Sequence, residues 1–352
     1  MPWGPAAATG VGSMPGTDPA ESARIVTGEL PGFVHVVELP ARGPGADMVG
    51  RTAGMITRID AGWGLETTPG GWRVAGARSR QMRQAWALLG EDLDALEEVS
   101  VGYRGPVKCQ VVGPWTMAAS VELPSGERVL RDPGAVDDLA QALAEAVGEH
   151  VMDLRRRLPA AAAVVVQLDE PALPAVLEGR IGTASGLSSY AAVDPQVAER
   201  VLGWVMRAGG ADGVITGMHC CAVDAPVGLA LDAGARFVSI DITGADEDSP
   251  RDAQVGRLLE GGGGLIAGSV PSIGSGQLGS GQLSDAAVSR PVRQLLHRLG
   301  LEDDRHLNAL AISPTCGLAG ASPQWARTAL SACTAVGRVL RQDEASEVPD
   351  GS

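Results

Sequence analysis

The stretch AAAVVVQLDEPAL, residues 161–173, decides the fold. An apolar run continues without a charge through Val166 and then ends on Gln167, Leu168 and the acidic pair Asp169-Glu170. A strand with one wet face alternates apolar and polar residues. An unbroken run of this length, rich in β-branched residues, predicts a strand buried on both faces, as in a parallel sheet covered by helices. Seven more runs of the same kind lie at residues 8–13, 33–39, 107–114, 213–219, 235–242, 263–270 and 308–314.

Amphipathic segments separate them, at 18–29, 133–158, 195–208, 226–233, 250–260, 285–299 and 323–341. Proline or a capping residue opens most of these, and glycine often closes them. Alternating β and α segments fold as an open doubly wound sheet or as a barrel. Eight runs favour the barrel, so the expected fold class is α/β, a single (β/α)8 TIM barrel spanning residues 1–341. Right-handed crossovers then bring every strand's C-terminal end to one face, where barrel active sites lie. Residues 43–106 are too long for one crossover. They predict an insertion after strand two, lying over the barrel mouth. GSGQL occurs twice in 274–283, which predicts a mobile loop after strand seven. The polar, acidic stretch 342–352 predicts a disordered tail.

The chain has 352 residues, of which 45% are apolar, and a net charge of −14. That length fits one barrel of about 250 residues with insertions. An acidic surface argues against nucleic acid or an anionic membrane as the main partner. No run of about 18 apolar residues predicts a membrane span, and residues 1–15 lack the basic start and apolar segment of a signal peptide, so a cytoplasmic protein is expected. Cys109, Cys220, Cys221, Cys316 and Cys333 are odd in number. That count points away from a disulfide framework and towards metal binding or catalysis for some of them.

The strand ends carry the candidate chemistry. Strand one ends in Gly10-Val11-Gly12-Ser13-Met14-Pro15-Gly16, strand two in Glu38, strand four in Asp169-Glu170-Pro171, strand five in His219-Cys220-Cys221, strand six in Asp241, and strand eight runs into Cys316-Gly317. Side chains at i and i+2 of an extended segment share a face, so His219 and Cys221 can point together while Cys220 points away. One imidazole, two thiolates and a carboxylate, from His219, Cys221, Cys316 and Asp241, suit tetrahedral Zn2+. Buried cysteine is also commonly a small hydrophobe, which is the expectation kept for Cys109 and Cys333. Glu38 and Asp169 suit either a local cap or salt bridge or the recognition of a substrate ammonium. The glycines at 10–16 lack both the Gly-Lys-Ser/Thr ending and the G-x-G-x-x-G spacing, which argues against a nucleotide loop.

These motifs together resemble the C-terminal catalytic domain of cobalamin-independent methionine synthase, in the same order over about residues 8–330. Val11-Gly12-Ser13-Met14-Pro15 resembles Ile-Gly-Ser-Phe-Pro, and Gln167-Leu168-Asp169-Glu170-Pro171-Ala172-Leu173 resembles Gln-Ile-Asp-Glu-Pro-Ala-Leu. His219-Cys220-Cys221 matches the zinc motif His-Met-Cys, Ser239-Ile240-Asp241 matches Ser-Ile-Glu, and Pro314-Thr315-Cys316-Gly317-Leu318 matches Pro-Asp-Cys-Gly-Leu. The resemblance implies that His219, Cys221 and Cys316 ligate zinc, with Asp241 replacing the usual Glu. It implies that Gly12 and Ser13 hold the carboxylate of homocysteine and that Asp169 and Glu38 hold its ammonium. The family's Arg-x-Asp-Met-Val follows Glu38 only after extra residues, at Asp47-Met48-Val49.

Two departures concern the methyl donor. The family stacks the pterin of folate on a Trp after Gly-Pro-x-Thr. Here Gly113-Pro114-Trp115-Thr116 is followed by Ser120 at the matching place, with Trp115 offset. The family's acid His after strand seven is replaced by Gly274 or Ser275. The chain is also similar to short, core-only homologues, some of which take methyl groups from a corrinoid protein. The expectation is a zinc-dependent homocysteine S-methyltransferase for which methyltetrahydrofolate is a poor donor and a methyl-corrinoid the alternative. A methyltransferase for another thiol, a uroporphyrinogen-decarboxylase-like enzyme and a non-catalytic zinc or amino-acid binder remain as alternatives.

Overall fold

The structure is a computed structural model and describes residues 1–347, apart from 77–78, 210–212, 245–249, 275–282 and 302–303. Eight parallel strands form its centre: β1 (Ala7–Ala8), β2 (Val34–His35), β3 (Val107–Val112), β4 (Val164–Asp169), β5 (Val214–Cys220), β6 (Phe237–Asp241), β7 (Gly264–Val270) and β8 (Leu310–Pro314). Each strand pairs with its neighbours in sequence, from β2 through β3 and onward to β8, and β8 pairs with β1. The ring closes past the ends of β1 and β2, where a parallel bridge joins Ser13 to Glu38. The Met14 amide donates to the Glu38 carbonyl at 2.8 Å, and the Glu38 amide donates to the Gly12 carbonyl at 3.2 Å.

β1 and β2 are much shorter than the runs at 8–13 and 33–39 that predict them. The glycines explain this. A side chain at Gly10 would collide with the His35 imidazole, and Gly12 takes a φ of +152°. The chain at Gly10 therefore packs directly against the His35 ring, and at Gly12 it leaves regular strand geometry.

Twelve helices are described: α1 (Pro19–Glu29), α2 (Met48–Ile59), α3 (Arg80–Val99), α4 (Pro114–Ser120), α5 (Pro133–Arg157), α6 (Leu173–Leu177), α7 (Pro195–Met206), α8 (Val227–Asp232), α9 (Pro250–Glu260), α10 (Asp285–Leu299), α11 (Asp304–Leu307) and α12 (Pro323–Glu347). Helix starts follow local chemistry. Asp18 accepts from the Ala20 and Glu21 amides, and Asp132 from those of Gly134 and Ala135, so each satisfies amides that a helix start leaves orphaned. Helix α12 continues six residues into the stretch predicted as a tail. Gln342, Glu344, Ala345 and Glu347 are adequate helix formers there, and no Gly or Pro intervenes. Residues 348–352 lie outside the described residues, as does most of the doubled GSGQL, at 275–282.

Much of the stretch 43–106 is built into the barrel's outer ring, while its Asp47 and Met48 line the cavity at the mouth. Helix α2 packs against α3 and α5, and α3 packs against α1, so both belong to the outer ring. The apolar faces of both helices bury Ala53, Ile56, Leu89 and Leu93 among them. Between them a hairpin, Leu65–Thr68 with Gly71–Val74, pairs onto Val121–Glu122 just after α4. Among the described residues, no helix is long and apolar enough to cross a membrane.

Alternation along the strands fills the barrel in layers. The layer at the N-terminal end is apolar: Phe33, Val165, Phe237, Ile266 and Ala311, sealed by Trp3. Trp3 stacks on Phe33 with ring centroids 5.1 Å apart and meets Phe237 edge-on at 5.9 Å. Two residues further along the strands, the inward positions turn polar at Thr9, His35, Gln167, Ser239 and Ser313, all of them buried. The candidate site stands above this polar layer.

Candidate functional site

Strand β5 delivers His219 and Cys221 on one face, and the loop after β8 delivers Cys316. Their ligand atoms lie within 4.8 Å of one another. Zinc bonds to imidazole and thiolate are roughly 2.0–2.3 Å, so two opposed bonds span at most about 4.6 Å, and the three groups can share one ion with only small rotations. The His219 Nδ1 lies 3.0 Å from the Ser239 hydroxyl and 3.1 Å from its carbonyl. That contact fixes the ring and leaves Nε2 for a metal. The sulfurs of Cys221 and Cys316 are free thiols 3.0 Å apart. Cys316 is drawn down to about 4 by hydrogen bonds with Cys221 and then His219, while Cys221 is pushed up by its contact with Cys316 and by burial. Cys220 points into the core, where burial raises its thiol to about 12.

Asp241, expected as the fourth ligand, stands outside this group. Its Oδ1 accepts from the Thr243 amide at 2.8 Å and the Thr243 hydroxyl at 2.7 Å. Aspartate is one methylene shorter than the glutamate of the family motif, and here its carboxylate folds back onto its own turn.

A cavity of about 340 Å3 opens beside the three ligand residues. Gly12, Ser13, Glu38 and Asp169 all line it, so the four expected substrate contacts and the three clustered ligands share one space. Glu38 is raised to about 7, chiefly by burial, with Arg51 opposing. Its Oε1 lies 3.8 Å from the Arg51 Nε, and Arg51 is itself paired with the buried Asp92. Asp169 is also raised by burial, opposed first by His219 and then by Lys108, and its Oδ1 accepts from Gln167 at 2.7 Å. Gly12 is required by close packing as well as by its φ, since a Cβ there would lie 2.6 Å from the Gln110 side chain. Ser13 packs its hydroxyl against Gly317, next to Cys316.

Glu170 has a different task from its neighbour. It is buried and accepts from the Trp115 amide at 2.9 Å, the Thr116 amide at 2.7 Å and the Thr116 hydroxyl at 2.7 Å. It therefore caps α4 rather than facing the cavity. Trp115 is buried, its indole donating to the Ala198 carbonyl at 3.0 Å. It borders a separate cavity of about 570 Å3 beside α5 and α7, away from the thiols.

Some participants escape the sequence patterns. Asp47 and Met48 line the cavity although extra residues separate them from Glu38. The short 3-10 turn Pro40–Arg42 takes up that extra length, so the Asp-Met-Val signal in the sequence still marks cavity residues. Gln110 lines the cavity and Lys108 lies just beneath it, the latter marked in advance only by being the chain's sole lysine.

The family described as "Cobalamin-independent synthase, Catalytic domain" matches residues 95–338. Among solved structures, a B12-independent methionine synthase from Shewanella sp. W3-18-1, in complex with selenomethionine, superposes with a TM-score of 0.62 at 13% identity, covering 97% of this chain and 99% of that one. At that identity the likeness speaks for the fold. No curated protein matches the sequence.

Proposed function

The chain belongs to the family of cobalamin-independent synthase catalytic domains, and from that premise we propose that it is a zinc-dependent homocysteine S-methyltransferase of the cytoplasm. Methyl transfer in the manner of methionine synthase is the family's activity, and this chain is a methyltransferase. The observation that carries the finer reading is the meeting of His219, Cys221 and Cys316 on a cavity that also holds Gly12, Ser13, Glu38 and Asp169.

The donor set fits zinc. It offers one imidazole with its second nitrogen already engaged and two thiols in contact with each other. His219, Cys221 and Cys316 would hold the ion, with Asp241 supporting the adjacent turn. When bound, zinc lowers the pKa of a substrate thiol so that the thiolate, the reactive nucleophile, predominates at neutral pH. The remaining work falls to the chain. Glu38 and Asp169 resist ionisation because they are buried, so an incoming ammonium stabilises both of them. Gly12 and Ser13 receive the carboxylate. Two anchored ends fix the thiol relative to the ligand cluster and lower the entropic part of the barrier.

A methyl-corrinoid is the donor this reading favours over methyltetrahydrofolate. The Ser120 hydroxyl is spent on the Thr116 carbonyl at 2.7 Å and offers no surface for stacking a pterin. The Trp115 ring is buried and tied to Ala198. Gly274 offers no proton, and a side chain there would meet the Trp325 ring at 2.9 Å.

The deciding experiment measures zinc stoichiometry and homocysteine affinity for the wild type and Cys316→Ala. The wild type is expected to bind about one zinc and to bind homocysteine only when loaded, and the variant to lose both together. Full metal occupancy in Cys316→Ala would overturn the assignment.

A further inference from the structure

The cavity presents a chemical puzzle. Its wall carries the acids Glu38, Asp47 and Asp169, and among the described residues no arginine or lysine lines it. Such a wall offers the carboxylate of an amino acid no cationic side chain of its own. The nearest cation on the Gly12 side is Lys108, fully buried in β3 behind Val11. Burying an ammonium is costly unless it is well paired. Here burial lowers Lys108 to about 8, opposed by the nearby charges of Asp169 and Glu38. The Lys108 Nζ donates to the Val11 carbonyl at 2.7 Å, and the Gln167 Nε2 donates to the same oxygen at 2.9 Å. Both lone pairs of that carbonyl are therefore occupied. The Val11 carbonyl and the Gly12 amide belong to one planar trans peptide, so they point in opposite directions. With the carbonyl drawn down to Lys108, the N–H of Gly12, a residue that lines the cavity, points away from that lysine. Among the described residues, neither the Gly12 nor the Ser13 amide has a hydrogen-bond partner.

We propose that Lys108 is a positioning residue for the substrate carboxylate: it pins the Val11–Gly12 peptide with its amide facing the cavity and places a buried positive charge behind that amide. The contact also polarises the peptide, which strengthens the N–H as a donor. Lys108 touches no substrate atom itself. It gives the carboxylate subsite the attraction that its neutral donors, set beside two acids, do not supply alone. This inference rests on the amino-acid thiol reading given above.

The test compares homocysteine with 3-aminopropane-1-thiol, the same molecule without its carboxylate. Both are titrated calorimetrically into zinc-loaded protein, so no methyl donor is needed. Wild type is expected to prefer homocysteine. In Lys108→Met that preference should fall at least about tenfold, the scale of one buried charge-assisted hydrogen bond. The loss should appear in homocysteine binding, with 3-aminopropane-1-thiol and zinc stoichiometry little changed. A purely structural lysine would weaken both thiols alike, and that outcome, or an unchanged preference, overturns the proposal. Lys108→Gln keeps a neutral donor and serves the same comparison if Lys108→Met does not fold. Gln167→Leu removes the second donor to Val11 without removing a charge, and is expected to cost less than either. A larger loss in Gln167→Leu would place the effect in the hydrogen bond alone and also overturn the role of the cation. A wild type with no preference for homocysteine would sink the substrate reading itself and, with it, the role proposed for Lys108.

Discussion

The two ends of the barrel are built from the same strands yet obey different rules. At the N-terminal end, Phe33, Val165, Phe237, Ile266 and Ala311 form an apolar plug capped by Trp3. At the C-terminal end, the continuations of the same strands present Glu38, Asp169, His219 and the peptide at Gly12. One end gains free energy by removing surface from water. The other keeps polar groups dry at a cost and holds them through specific partners such as Ser239 and Gln167. Stability and chemistry are therefore separable along the strand axis, and substitution can attack either end without the other.

The largest contrast comes from a pair of variants. Phe237→Ala, at the plug, is expected to lower unfolding free energy by about 3–5 kcal/mol through lost burial and the cavity left behind. Zinc stoichiometry of the protein that remains folded should be unchanged. Cys221→Ser should do the reverse, abolishing stoichiometric zinc binding while leaving the unfolding midpoint of the metal-free protein within a degree or two. Denaturant titration and metal analysis of both variants check this. A metal-free Cys221→Ser as unstable as Phe237→Ala would show that the two ends are not independent.

A smaller effect probes the layer between the ends. His35 lies below the site, lowered to about 3 first by burial and then by the charge of Lys108. The fold therefore keeps it neutral, whereas the unfolded chain protonates it near pH 6.5. Its contribution to stability is fully present above about pH 6.5 and is lost as pH falls towards 3, at up to about 1.4 kcal/mol per unit. Unfolding free energies measured from pH 7 to 4 should fall less steeply for His35→Asn than for wild type. Parallel slopes would mean that His35 does not carry this linkage.

The smallest effect is expected at Asp241. Its carboxylate serves the turn at Thr243. Asp241→Asn should change zinc affinity by less than about tenfold, against the complete loss at Cys221. A loss comparable to that of Cys221→Ser would return Asp241 to the ligand set.

Much of this was legible in the sequence because strand ends in a barrel converge whatever lies between them. His219, Cys221 and Cys316 could be assigned to one place from their positions at the ends of the fifth and eighth runs, although 95 residues separate the two sulfurs. Asp169 and Glu170 illustrate the limit. They are adjacent, both acidic and both buried, and only the structure gives one to the cavity and the other to the amides of α4. Asp241 lies apart from the three clustered residues because Thr243 is a local partner that register alone does not reveal. The length of 43–106 did not reveal that two of its helices, α2 and α3, bury faces in the ring. Lys108 was conspicuous by composition, but its role depends on which carbonyl it meets.

The bridge between Ser13 and Glu38 gives the barrel an unusual clasp. Across the junction of β1 and β2, the described backbone hydrogen bonds are those of Glu38 with Gly12 and Met14, and they lie at the rim rather than along the staves. The closure of the cylinder and the placing of Gly12, Ser13 and Glu38 on the pocket wall thus depend on the same few hydrogen bonds. A small molecule gripping Ser13 on one side and Glu38 on the other would fasten the last open seam.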